Sequence, residues 1–211
     1  MRNLLSLNIF LIILLTACDP VKKSQLSSPG NGSFKIPEWS SPFLKGFEKA
    51  LFRTSLVVAG KHLTGISIIK RTSDSSFHFT FANEIGMTYF DMEFYKKSYK
   101  ADYIFEALQK KSFLKILQED FSVMLFSRFE SKPVRKYIDT ESEETVYYFL
   151  RQNLYVWIDG SEKNITGLAG WSNYFDAVLI RFKEYNEHFP SEILIENPRI
   201  RMVLTLNLLG H

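Results

Sequence analysis

The residues that could support catalysis or metal binding are few and scattered along the chain. No two of the four histidines, His62, His78, His188 and His211, have the close spacing of a metal-ligand pair with a third ligand nearby. The Gly-x-Ser-x-Gly motif of a nucleophile elbow is absent. The acidic run at residues 141–144 falls in a predicted turn, which favours a solvated loop. We therefore expect no enzyme activity, no catalytic residue, no metal site and no cofactor.

Cys18 is the only cysteine in the sequence, and the residues before it are informative. Arg2 precedes an apolar run at residues 4–15, which is shorter than the roughly 20 residues of a membrane span. Thr16 and Ala17 follow this run, directly before Cys18, and small residues before a cleavage point are typical of a secretory signal. This ending resembles the signal of bacterial lipoproteins, which implies that Cys18 is lipidated and begins the mature protein.

Lipidation would place the protein on a membrane, outside the cytoplasm. Stable anchoring needs two or more acyl chains, and bacterial lipoproteins usually carry three. The alternative is an ordinary secretory signal with a chance cysteine. Asp19 resembles an inner-membrane retention signal of enteric bacteria, but other bacterial groups do not follow that rule. With Cys18 lipidated, no disulfide could form, and the domain would be held together by burial alone.

The composition divides the chain into three parts: a signal at residues 1–17, a lipidated cysteine and flexible tether at 18–42, and one folded domain at 43–211. The tether holds four of the seven prolines and many serines, too little apolar material to order itself. Loss of Arg2 with the signal leaves 25 basic against 23 acidic residues, a balance that gives no indication of nucleic-acid binding. The 19 Phe and 10 Tyr predict a heavily aromatic β core.

The periodicity of apolar residues predicts a mainly β protein with a helical insert. A short helix near 44–51 leads into a four-stranded antiparallel meander over 53–95, where Phe77, Phe79 and Phe81 show the alternation of a half-buried strand. Helical spacing then predicts two short helices, at 103–110 and 113–126. Strand patterns return between 134 and 208, which gives about eleven strands in all.

This order of elements resembles the LolA/LolB family of bacterial lipoprotein carriers and acceptors. Residues 79–93 are similar to the family's strand, Asn-x-Leu-Gly turn and outgoing strand. The helical insert after the fourth strand has the place of the family's lid helices. Residues 189–206 are similar to its closing hairpin. The resemblance implies a half-open antiparallel β-barrel covered by short helices, with an apolar cavity for the acyl chains of a lipoprotein or another lipid.

The resemblance also implies roles for particular residues. Ile85 lies in a turn, where a protruding leucine in LolB helps to deliver cargo to the membrane; the alternative is that Ile85 folds back onto the domain. The candidate cavity and lid residues are Phe77, Phe79, Phe81, Tyr89, Phe105, Leu108, Phe113 and Leu117. For each of them the alternative is ordinary core packing. Arg199 and Arg201 could meet a lipid head group or a phosphate, although a surface role beside the last strand is favoured.

The resemblance points to a monomer anchored to the outer rather than the inner membrane, facing the periplasm. Its partners would be an acylated lipoprotein or lipid, the membrane reached through Cys18, and a periplasmic LolA-like carrier. Two other functions stay open at this point. One is an envelope sensor or assembly lipoprotein that uses the same fold to bind a protein. The other, an enzyme acting on glycolipid or peptidoglycan, would need a polar cleft with paired carboxylates or a perturbed histidine.

Overall fold

A computed structural model describes residues 26–27, 39–44, 46–129, 135–161, 163–172, 176–186 and 189–210. The strands are β1 (Trp39–Ser40), β2 (Lys49–Val58), β3 (Lys61–Ser73), β4 (Ser76–Ala82), β5 (Thr88–Tyr95), β6 (Tyr99–Ile104), β7 (Arg128–Phe129), β8 (Arg135–Ile138), β9 (Thr145–Phe149), β10 (Leu154–Ile158), β11 (Ile165–Ser172), β12 (Asp176–Asn186), β13 (Phe189–Asn197) and β14 (Met202–Gly210). The helix α1 (Lys111–Phe126) and the 3-10 turns Glu106–Leu108 and Pro198–Ile200 complete the elements of the described residues.

Twelve strands form one antiparallel sheet in the order β6-β5-β4-β3-β2-β14-β13-β12-β11-β10-β9-β8, and β1 pairs with β7 in a second, two-stranded sheet. The edge strands β6 and β8 have no pairing with each other in the described part of the chain, so the large sheet is open. Neighbouring strands rotate by roughly 20–25° each, so a sheet of this width must coil. The prediction of a mainly β fold with an open antiparallel sheet is confirmed.

Alternation of side chains gives the sheet an apolar inner face. In β2 the buried positions alternate with exposed or half-buried ones, and Phe52 and Leu56 point inward. The closing strand β14 does the same with Met202, Leu204 and Leu206, as its alternation predicts. Position 65 in β3 requires a glycine because the backbone at the end of β4 approaches it closely. A Cβ at this position would lie 1.9 Å from the carbonyl oxygen of Ala82. This contact lets the end of β4 come close to β3.

The helix α1 lies against the inner face and supplies the other half of the core. Its apolar residues recur at helical spacing and bury one side of the helix. The Phe121 ring stacks on Phe94 at 4.5 Å between centroids and meets Phe79 at 4.9 Å. Near the start of the helix, Phe113 lies 6.1 Å from Phe90. The sheet and the helix therefore share one aromatic core.

Two predicted helices are wrong. Residues 103–110 hold the end of β6 and a 3-10 turn, because Tyr103 and its neighbours pair with the free edge of β5. That edge offers a full ladder of hydrogen bonds, which outweighs the weak helical spacing of the segment. Residues 44–51 run from a turn into β2, whose pairing with β3 extends back to Lys49. The second predicted helix, at 113–126, is confirmed as α1.

Two parts of the predicted tether contact the domain. Trp39 is 4% exposed, its ring lies 5.0 Å from that of Tyr147, and it pairs with Phe129 in the β1–β7 sheet. Further back, Leu26 forms a bridge with Asp139. The signal, Cys18 and the other tether residues lie outside the described residues.

Candidate functional site

The predicted cavity residues come together between the inner face of the sheet and α1, to which Phe113 and Leu117 themselves belong. All eight belong to a single apolar cluster, in which seven are buried and Phe105 is half-buried. The Phe81 and Tyr89 rings are 4.9 Å apart, and Tyr89 meets Phe105 at 6.0 Å. In this structure the eight side chains pack against their neighbours, and none of them borders the cleft described below. Their role as a cavity lining therefore stays a prediction, which requires α1 to move.

Four aromatic residues that sequence reasoning missed are central to this interior: Phe90, Phe94, Phe121 and Phe126. In β5 the register shifts where Phe81 pairs with Phe90 and Ala82 with Thr88, so that Tyr89 is an extra, bulged residue. Both Tyr89 and Phe90 are buried as a result. Phe121 and Phe126 lie on the buried side of α1, and the alternation of Phe90 with Phe94 could have indicated an inward face in β5.

Polar contacts attach α1 to the rest of the domain at its middle. The side-chain amide of Asn197 donates to both carboxylate oxygens of Asp120 at 2.9 Å, and both residues are almost fully buried. Burial raises the pKa of the Asp120 carboxyl to about 8; the hydrogen bond from Asn197 opposes this shift. Beside this pair, the Arg199 guanidinium donates to the Glu119 carboxylate at 3.2 Å. Arg199 thus has the surface role favoured from the sequence.

The C-terminal end of α1 is attached by the segment that precedes the domain. The backbone N–H of Ser41 donates to the Ser127 carbonyl at 2.9 Å, and its hydroxyl donates to the carbonyl of Met124. The hydroxyl of Ser127 in turn donates to the carbonyl of Val123 at 2.6 Å. These bonds satisfy backbone carbonyls that the last turn of a helix leaves without partners. Residues 39–41, which are β1 and the serine directly after it, therefore act as a strap over the end of the helix.

A cleft of about 570 Å³ lies at this end of α1. The residues that line the cleft come from the last turn of α1, from β7, from the turn after β5 and from the turn before β10. These turns belong to opposite ends of the strand order, so the sheet coils until its two sides face each other across α1. The lining residues are Lys96, Ser122, Val123, Phe126, Ser127, Arg128, Phe129, Arg151, Gln152 and Leu154. The cleft is thus the mouth of the coiled sheet on this side.

Ile85 is the most exposed large apolar residue of the described chain, at 90%. The side chain of Asn83 accepts hydrogen bonds from the backbone N–H groups of Ile85 and Met87, at 3.2 and 2.8 Å. Gly86 has a φ of 88°, which suits glycine at the end of this tight turn. The turn therefore holds the Ile85 side chain away from the domain rather than folded back onto it.

The described side chains that could take part in catalysis or metal binding do not form one cluster. His78 pairs with Asp91 at 2.5 Å, half-buried between β4 and β5, while His62 pairs with the hydroxyl of Ser55. Among the described residues, no group of three or more His, Cys, Asp or Glu side chains could hold a metal ion. In the same residues, no helix is long and apolar enough to cross a membrane. The absence of enzyme activity stays a prediction.

An open antiparallel sheet coiled around one amphipathic helix, with an aromatic inner face, is the arrangement that the resemblance to the LolA/LolB family predicts. No protein-family model matches the chain, and no curated protein does. Among solved structures, it is similar to a LolA superfamily protein from Nitrosomonas europaea, with 8% identity over 77% of this chain and 83% of that one and a TM-score of 0.49.

The chain is also similar to a solved structure from Vibrio parahaemolyticus, which is described as an outer membrane lipoprotein-sorting protein domain. The identity is 10%, the match covers 79% of this chain and 85% of that chain, and the TM-score is 0.37. Both likenesses concern the fold alone.

Proposed function

We propose that the protein is a lipid-anchored component of the bacterial cell envelope that binds the acyl chains of another lipoprotein, or of a lipid, beneath α1. The observation that supports this best is that one helix covers the aromatic inner face. Eight apolar residues of α1 are buried, and all of them except Ile116 belong to the apolar cluster of this inner face. A helix in this position can leave and be replaced by acyl chains without loss of the strand pairing of the sheet.

The free energy gained by burying the apolar side chains of α1 is similar in size to the free energy gained by burying two acyl chains. Burial of eight apolar side chains at about 1.5–3 kcal/mol each stabilises the closed helix by about 12–24 kcal/mol, as an upper bound. An acyl chain loses about 0.8 kcal/mol for each CH₂ exposed to water, so two chains of about 15 methylenes carry about 24 kcal/mol. Water alone would therefore not open the interior, whereas acyl chains can replace the helix.

The anchor and the exposed turn define the proposed setting. Lipidated Cys18 would attach the protein to a membrane, the outer one in preference to the inner one, with the domain in the periplasm. Ile85 would insert into the bilayer when cargo is delivered, and a periplasmic LolA-like carrier would bring that cargo. We expect the domain to act as a monomer.

A second candidate is an envelope sensor or assembly lipoprotein that binds a protein. Two observations favour it: the predicted lining residues are packed in the core, and the exposed Ile85 adjoins Met87, which is 42% exposed. In this case the helix would not move, and the apolar turn would be the contact surface.

Native mass spectrometry separates the two candidates. The chain from residue 19, which keeps all described residues, is purified without detergent, and its lipids are extracted in parallel. Bound phospholipid, or uptake of a synthetic diacylated cysteine peptide, is the result expected of an acyl-chain carrier. A protein that stays without ligand after incubation with both would contradict the proposal and favour the protein-binding candidate.

A reversible lock on α1 tests whether the helix must move. A Cβ added at Gly170 would lie 3.5 Å from Cγ2 of Val123, within reach of the geometry of a disulfide. The pair Val123→Cys and Gly170→Cys, in a chain that lacks Cys18, should lose uptake of the peptide when oxidised and regain it in dithiothreitol. The two single variants are the controls. Unchanged uptake by the oxidised form would show that the ligand does not enter beneath α1.

Ile85→Asp tests the delivery role. The variant should bind the diacylated peptide normally but transfer it to vesicles more slowly, because a carboxylate does not enter the bilayer. Leu209→Asp, at another exposed apolar residue, is the matched control. Equal transfer by both variants would remove Ile85 from the mechanism.

A further inference from the structure

The cleft at the C-terminal end of α1 has a rim of positive charge. Lys96, Arg128 and Arg151 line it and are exposed, and none of the described residues in its lining is acidic. None of the three cations forms a salt bridge with another residue of the described ranges. They come from three separate segments, the turn after β5, β7 and the turn before β10. Only the coiling of the sheet brings them together.

The negative end of the α1 dipole does not neutralise the positive charge of the cleft rim. A helix C-terminus carries about half a negative charge, so that, counting only the described residues, roughly two and a half of the three positive charges have no compensation. The carbonyls of Val123 and Met124 already accept hydrogen bonds from Ser127 and Ser41, so they need no cation. The rim is therefore free to receive an anion from solution. Two of its groups are guanidinium groups, whose planar forks match the oxygens of a phosphate.

The floor of the same cleft is apolar and continues into the interior. Phe126, Phe129 and Leu154 form part of its lining and are nearly buried. The Phe126 ring lies 5.2 Å from that of Phe77, one of the predicted cavity residues. An acyl chain that entered here would thus pass from the cleft to the space beneath α1 along continuous apolar contacts. The volume of about 570 Å³ is in the range of small-molecule sites.

We propose that this cleft binds the phosphate head group of an anionic amphiphile, with its acyl chain directed beneath α1. This inference rests on the proposed function and adds the class of ligand to it. The three cations select a ligand with net negative charge, and the apolar floor selects one with a chain. Because the cations are exposed, added salt should weaken the head-group contribution to binding.

Three monomeric probes with one palmitoyl chain test the inference on the chain from residue 19: lysophosphatidylglycerol, lysophosphatidylcholine and monopalmitoylglycerol. We expect lysophosphatidylglycerol to bind at least about tenfold more tightly than the other two in titration calorimetry, since a charge-assisted hydrogen bond is worth about tenfold or more. The variant with Lys96→Gln, Arg128→Gln and Arg151→Gln should bind all three within about twofold. The control variant with Arg53→Gln, Lys61→Gln and Lys163→Gln makes the same change of net charge at exposed positions outside the cleft and should keep the preference.

The other outcomes overturn one claim or both. Equal binding of all three probes, unchanged in the cleft variant, would overturn the head-group site and leave the acyl-chain function standing. Glycerol 3-phosphate binding as tightly as lysophosphatidylglycerol would show a site for free phosphate esters rather than lipids. Failure of every palmitoyl probe and of the diacylated peptide would overturn the proposed function as well.

Discussion

The substitution Asp120→Asn tests the attachment of α1 most directly. Asp120 is 2% exposed, and its carboxylate accepts from the Asn197 amide at 2.9 Å. Burial is the largest influence on its pKa, which it raises to about 8. The carboxyl of an unfolded chain titrates near 3.9. Between these values the folded protein holds a proton that the unfolded chain has released.

The sign of the pH effect follows from this difference. Because the pKa of Asp120 is higher in the folded protein than in the unfolded chain, the protonated carboxyl stabilises the fold. This stabilisation is fully present below the pKa of the unfolded chain and is lost as pH rises toward about 8. The slope is at most about 1.4 kcal/mol per pH unit, so the free energy of unfolding should fall by up to about 4 kcal/mol between pH 5 and pH 8. An asparagine at this position can still accept from the Asn197 amide through its single side-chain oxygen, and it does not titrate.

Urea unfolding at pH 5, 6.5 and 8, followed by tryptophan fluorescence, measures the effect. Near pH 5 the Asp120→Asn variant should match the wild type within about 1 kcal/mol, and at pH 8 it should be the more stable protein. Glu119→Gln is the control, because that carboxylate is partly exposed in its pair with Arg199 and should change stability by less than about 1 kcal/mol. A difference between Asp120→Asn and wild type that stays constant from pH 5 to pH 8 would refute the reasoning.

Three further substitutions probe the core, the strap and the sheet. Phe121→Ala should cost about 3–5 kcal/mol in urea unfolding, because its ring is fully buried between Phe79 and Phe94. Trp39→Ala should loosen β1 and speed the cleavage of α1 by protease at native conditions, whereas an unchanged rate would show that the strap does not hold the helix. Gly65→Ala should lower the melting temperature by several degrees, since its Cβ would overlap the Ala82 carbonyl; an unchanged melting temperature would mean that β4 shifts freely.

Much of the fold was predictable because local patterns and tertiary structure agree. The alternation of Phe77, Phe79 and Phe81 identified β4 and its inner face, and the spacing of apolar residues identified α1. The predicted helix at 103–110 was wrong because its apolar spacing fits a strand as well, and the free edge of β5 decided the outcome. The bulge at Tyr89 depends on how two strands align, so no pattern within β5 could show it.

Parts of the candidate site had no signal in the sequence. Asp120 stands among apolar residues of a helix and would ordinarily be assigned to a solvated face; it is buried because Asn197, distant in the chain, lies opposite it. The cations of the cleft come from segments far apart in the sequence, and each of them alone resembles an ordinary surface charge. Their meeting depends on the twist accumulated over a wide sheet.

The sequence by itself determined the aromatic, mainly β character of the domain, because this depends on local composition and on the period of apolar residues, whereas the signal with a lipidated Cys18 stays a prediction. It also determined that Ile85 stands in a turn, because Asn83 and Gly86 favour that geometry. Only the tertiary structure decided that one helix closes the inner face and that Lys96, Arg128 and Arg151 surround one cleft. Those features arise from contacts between residues remote in the chain, which depend on the coiling of the whole sheet.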